Sequence, residues 1–158
     1  MTLIPVPNCG LPNVRCLSIK PQYADRIKDG TKTIELRSYD PALKPEDWCI
    51  VYETHPTGHI SFVFQVEYFW CMKPDLAWEL FSNQCGNGLG SDLGVEFDDY
   101  FGYFHNKPYA YGLKIGQVNT FDPISYQELE ETVGFSAPQG SWRWKNYQID
   151  SRILQAMC

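Results

Sequence analysis

Between Trp48 and Trp70 the chain reads WCIVYET, HPTGH, ISFVFQVEYFW. The first run is apolar at nearly every position, as a buried strand must be. The last alternates and then becomes continuously apolar, which predicts a long strand. The turn between them holds Pro56 and Gly58, residues that supply the backbone angles a reversal needs. A chain built around this stretch needs a sheet at its centre and other elements to cover it. His55 and His59 stand four apart in that turn, but Pro and Gly between them forbid a helical metal pair.

The flanking segments supply the cover. VRCLSI (14–19) alternates and predicts a strand; Pro21 then stands at a good first helical position. Tyr23, Ala24 and Ile27 share one face of a short helix that Gly30 terminates. KTIELR (32–37) alternates again, with Thr33, Glu35 and Arg37 on one side and Ile34 and Leu36 toward the core. Lys32 points with Ile34 unless it lies ahead of the strand, where the pleat is not yet set. KPDLAWELF (73–81) predicts a helix with Leu76, Leu80 and Trp78 or Phe81 as its apolar face. SDLGVEFDDYFGYF (91–104) places Leu93, Phe97, Phe101 and Phe104 at helical spacing, with the acids opposite. YAYGLKIG (109–116) predicts a strand and VNTFDPIS (118–125) a strand edge or bend. In SYQELEE, Ser125 and Glu128 form a capping box. WRWKNYQI (142–149) alternates, and the last residues close as a helix or turn. CGNGLGSDLG (85–94) lacks the Lys and Ser/Thr of a phosphate loop, so it reads as a connector. Strands outnumber helices and the connections are mixed. The expected class is α+β: a small β-barrel with flanking helices, as one domain over 14–158 behind an extended arm at 1–13.

Thirteen Lys/Arg against nineteen Asp/Glu leave a net charge of −6, which argues against a general nucleic-acid coat. The distribution is uneven. Residues 14–37 carry a net +3, residues 143–152 a net +2 and the stretch between them −11. Two basic ends that met in space would form a local patch suited to a small phosphate or nucleotide site. The six cysteines include no CxxC pair; with no export signal, reduced and mostly buried thiols are expected, and no metal. No run approaches the ~18 apolar residues of a membrane helix, and the N-terminus has no basic n-region. The expectation is a cytoplasmic protein without membrane contact.

LSIKPQYADRIKDGTKTIELR (17–37) resembles the ASCH family, the activating-signal-cointegrator homology domains. Gly30, Lys32, Glu35 and Arg37 match its G-x-K-x-x-E-x-R signature in full. The WCIVYET strand, the EFDDYFGYF helix, the YAYGLKIGQV strand and the late GFSAPQGSWRW extend the likeness from about Cys16 to Ile153. The resemblance implies a PUA-like β-barrel with a cleft beside the signature, and RNA or nucleobases as partners. It also implies a hydrolase alternative. One branch removes the acetyl group of N4-acetylcytidine with a lysine, a threonine three residues later and a downstream glutamate, and ribonuclease activity has been proposed for others. Lys32 matches the lysine; Glu35 stands where the threonine would be; Glu96 is the nearest candidate for the glutamate.

The expected site has two walls, 18–37 and 139–145. Lys20, Lys32, Arg37 and Arg143 would contact phosphates or carbonyls. Glu35 would accept from a base amine or orient Lys32. Tyr23, Trp142 or Trp144 would stack on a base, and Gln139 and Ser141 would bond its edge. Ser18 flanks Lys20 at the strand-to-helix junction. Each has a plainer reading: Lys32, Glu35 and Arg37 as a solvated strand face, Lys20 as a surface lysine, Tyr23 and the tryptophans as core. Asp98 and Asp99 diverge around their helix and read as helix-start charge and solubility. The leading expectation is an RNA- or nucleobase-binding module needing no cofactor. Its alternatives are a metal-independent nucleoside or RNA hydrolase using Lys32 and Glu35, and a protein-interaction module.

Overall fold

A computed structural model of the chain describes residues 3–5, 13–82, 92–139, 141–143 and 148–157, giving only the backbone path for 3–5, 141–143 and 148–149. Strand β4 (Trp48–Glu53) pairs antiparallel with β5 (His59–Met72), and β5 pairs along its other edge with β6 (Ala110–Ser125). Strand β2 (Val14–Ile19) lies parallel to β4, while β3 (Ile34–Arg37) occupies the far edge beside β6. β7 (Ser141–Arg143) joins the outer edge of β2, so the order is β3-β6-β5-β4-β2-β7. β1 (Leu3–Pro5) and β8 (Gln148–Asp150) form a separate two-stranded ribbon. Register shifts between Val51 and Tyr52 in β4, and at three places in β5, bend the sheet into a half-barrel.

Every residue of β4 is buried because both faces of the sheet are covered. On one face Cys49 and Val51 pack with Phe62, Phe64 and Leu113 beneath α1 (Pro21–Asp29), which contributes Ala24 and Ile27. On the other, Trp48, Ile50 and Tyr52 pack with Ile124, Leu129 of α4 (Tyr126–Val133) and Ile153 of α5 (Ser151–Ala156). Each large aliphatic side chain so buried contributes about 1.5–3 kcal/mol. The thiols of Cys16 and Cys49 are buried and free, and burial pushes both up from the usual range, whereas Cys71 is exposed.

Several sequence signals reappear as local structure. Gly30 ends α1 in the left-handed conformation at φ +84°. Ser125 Oγ accepts from the amide of Glu128 at 3.2 Å, capping α4. The segment 118–125 is not a bend but the far half of β6.

Two helices turn differently from their sequence pattern. In α2 (Pro74–Phe81), Leu76 and Leu80 are exposed at 46% and 61%, while Ala77 is buried and Trp78 and Phe81 are partly buried. Phe81 stacks on Trp70 at 4.9 Å between centroids, and Trp78 meets Tyr100 at 4.9 Å. Aromatic area outweighs the leucines there. α3 (Phe97–Tyr103) is shorter than its pattern suggests. Gly94 takes φ +58°, so Leu93 lies in a turn ahead of the helix. Tyr100, not Phe97, is the buried ring, and its hydroxyl donates to the Pro74 carbonyl at 2.8 Å.

The third apolar cluster joins Ile34 and Leu36 to Trp70, Ala77, Leu93, Tyr100 and Phe104. It seats α2 and α3 over the β3 end of the sheet, and Gly112 lets it close. A Cβ there would lie 2.0 Å from Cε2 of Trp70. Gly112→Ala is therefore expected to cost about 1–3 kcal/mol of stability, measured by urea unfolding monitored through tryptophan fluorescence.

Candidate nucleobase pocket

Residues 92–94 run against residues 32–34. The amides of Thr33 and Ile34 both donate to the Asp92 carbonyl at 2.9 Å, and Thr33 Oγ1 donates to Asp92 Oδ1 at 2.8 Å. From α1, Arg26 Nη1 donates to the Gly94 carbonyl at 2.7 Å, and its Nη2 pairs with Glu96 Oε1 at 2.6 Å. Gly94 is required twice, by its positive φ and by Lys32, whose Cβ would stand 2.4 Å from any added Cβ. This seam holds α3 opposite α1 and β3 and leaves a pocket of about 460 Å³ between them, within the range of small-ligand sites.

The signature residues share this pocket. β3 begins at Ile34, so Lys32 precedes the pleat and lines the pocket along with Glu35 and Arg37. Ser18, Lys20 and Tyr23 line it too. The solvated strand face does not exist: Lys32, Glu35 and Arg37 are 2%, 5% and 8% exposed, because α1 and α3 roof the polar side of β3. Arg37 Nη2 donates to the Ser18 carbonyl at 2.9 Å and pairs with Glu35 Oε1 at 3.1 Å. Arg37 Nε is buried without an acceptor. Burial opposes the guanidinium charge, and Glu35 beside it restores it, so its proton is held more firmly than usual.

Lys32 donates from Nζ to the Leu93 carbonyl at 2.6 Å, with the Tyr23 ring 5.7 Å away. Burial pulls its pKa down to about 8, against the opposing pull of Glu35. Burial and then Asp99 raise the Tyr23 phenol; its hydroxyl lies 3.5 Å from Asp99 Oδ2. Lys20 is exposed at the start of α1.

The expected second wall, 139–145, lies mostly outside the described residues. Among the described residues the lining opposite α1 and β3 comes from α3 and its flanks, including Asp98, Asp99, Tyr100 and Tyr103. Gln139 is exposed and does not line the pocket. The backbones of Ser141, Trp142 and Arg143 pair in β7 with Leu17, Cys16 and Arg15; their side chains and all of Trp144 lie outside the described residues. The basic ends do meet along β2 and β7, and Ser18 Oγ donates to the Pro138 carbonyl at 2.7 Å. Several of their cations are held internally: Arg26 by Glu96, Lys28 by the buried Glu53, Arg152 by Asp150 and Glu128.

Glu96, paired to Arg26, does not line the pocket. Asp98 and Asp99 are exposed, as helical periodicity assigned them, and also line the pocket; no local pattern in the sequence signalled that second placement. Among the described residues no three His, Cys, Asp or Glu side chains converge to hold a metal ion, and no helix is long and apolar enough to cross a membrane.

The model of the ASCH domain matches residues 17–150. Crystal structures of the ASCH protein of Zymomonas mobilis are similar to this chain. A mutant form has TM-score 0.75 at 20% identity, covering 91% of this chain and 93% of that one. The parent protein has TM-score 0.73 at 21% identity, covering 85% and 90%. No curated protein matches the chain by sequence.

The buried ammonium has a measurable signature. Lys32 holds its proton less tightly folded than unfolded, so the unfolded chain binds more protons between pH about 8 and 10.5. Wild-type stability should therefore rise across that window relative to Lys32→Met. Paired thermal melts from pH 7 to 10 check this; a difference flat with pH would mean an unshifted lysine.

Proposed function

Since the chain belongs to the ASCH domain family, with a PUA-like half-barrel fold, we propose that its pocket receives one nucleobase of an RNA strand or of a free nucleoside. One observation carries this reading: the buried Glu35–Arg37 pair lines the pocket with the Arg37 Nε–H unmatched. A buried N–H without an acceptor costs about 1–3 kcal/mol. The edge of a base offers a carbonyl or ring nitrogen to such a donor and an amine to a carboxylate. Tyr23 supplies a ring on the wall for stacking, and Lys20 an exposed ammonium at the rim for a neighbouring phosphate.

Calorimetric titration with the four ribonucleosides and short single-stranded RNAs tests the reading. Tyr23→Ala should weaken binding about 5- to 150-fold, the equivalent of roughly 1–3 kcal/mol of stacking. Lys20→Ala should weaken RNA alone and reduce its salt slope by about 1. Absence of binding, or binding that ignores both changes, would overturn it.

Lys32 favours a second reading, hydrolysis of an amide on the bound base. Its amine is buried at the pocket and loses its proton near pH 8, so it can take a proton from an attacking water. Water and N4-acetylcytidine would give cytidine and acetate. The rate should climb through pH about 8 and vanish in Lys32→Ala; a wild type that releases no cytidine removes this reading.

A further inference from the structure

We propose that Asp98 and Asp99 accept the 2′- and 3′-hydroxyls of a ribose, so that the pocket selects a ribonucleoside with a free 2′,3′-diol and rejects an internal nucleotide. The inference rests on the nucleobase reading of the same pocket. Depth orders the polar groups. Lys32, Glu35 and Arg37 are buried, whereas Asp98, Asp99 and Lys20 are exposed at the rim. A base seated on Glu35 and the unmatched Arg37 Nε leaves its sugar at that rim.

The rim asks for donors. Among the described residues neither Asp98 nor Asp99 joins an ion pair; Asp99 lies beside the Glu96 carboxyl and receives a long 3.5 Å contact from the Tyr23 hydroxyl. Ionised carboxylates accept hydrogen bonds and donate none. A sugar diol brings two donors; a phosphate diester brings none and adds negative charge. Of the cations lining the pocket, Lys32 is bonded to the Leu93 carbonyl and Arg37 to Glu35 and Ser18. Among the described residues of the lining Lys20 is then the exposed cation against two carboxylates, a balance that disfavours a 3′-phosphate. The same diol occurs on a free ribonucleoside and on the 3′-terminal residue of an RNA.

The probes are the four ribonucleosides, their 2′-deoxy forms and 3′-monophosphates, and trinucleotide RNAs ending in a 3′-hydroxyl or a 3′-phosphate. The ribonucleoside that binds should lose about 10- to 100-fold in affinity on removal of the 2′-hydroxyl, the worth of a hydrogen bond to a charged group, and at least as much on 3′-phosphorylation. Asp98→Ala combined with Asp99→Ala, with folding checked by its melting temperature, should erase both preferences while base binding persists. A 3′-hydroxyl trinucleotide that binds more tightly than the nucleoside identifies RNA ends as the source; weaker binding identifies free nucleosides. Ribose and deoxyribose bound alike, or 3′-phosphates bound more tightly, with Tyr23 still required, overturn this inference and leave the nucleobase reading standing. No binding of any probe removes both.

Discussion

The pocket depends on the seam between residues 32–34 and 92–94. Asp92 gives its carbonyl to two successive amides, Leu93 takes the Lys32 ammonium, and Gly94 gives its carbonyl to Arg26. Those bonds fix the turn ahead of α3, and that turn aims the helix across β3. Without them α1 and β3 would present an open polar strand edge rather than a recess. The contact is close enough that one Cβ at Gly94 would collide with Lys32, so the lysine and the turn specify each other.

Three charged side chains are buried beneath this seam. The buried pair of Glu35 and Arg37 is weak evidence for stability, because taking two charges out of water costs about as much as their attraction returns. Arg37 keeps an unmatched Nε even so. These groups are collected on one recess, while the apolar clusters lie on either side of the sheet.

Much of this was legible in the sequence, for identifiable reasons. α1 and its Gly30 terminus, β2, the β4–β5 pair and the Ser125 cap follow from local patterning and were all readable. So was the convergence of Lys32, Glu35 and Arg37, since all three lie in one short stretch matched by the family signature. What was hidden depended on distant packing. Periodicity placed Leu76 and Leu80 inward, but the stacking of Phe81 on Trp70 turned α2. Asp98 and Asp99 looked like ordinary acids at a helix start; their place beside Tyr23 follows from backbone bonds formed across some sixty residues of chain. Burial of Glu35 and Arg37 was equally illegible, because alternation reveals which side of a strand a residue takes and not what roofs that side.

The parallel pairing of β2 with β4 has its own consequence. Parallel neighbours cannot be joined by a tight hairpin; they need a crossover of a dozen residues or more. Here the crossover runs from Lys20 to Asp47 and carries Tyr23, Lys32, Glu35 and Arg37, while the β4–β5–β6 meander supplies much of the sheet. Topology thus places much of the pocket's polar lining on an excursion that the scaffold requires anyway. Within that excursion only β3 joins the sheet as a strand, through its pairing with β6, so changes in the remainder reshape the recess without altering the register of β4, β5 and β6.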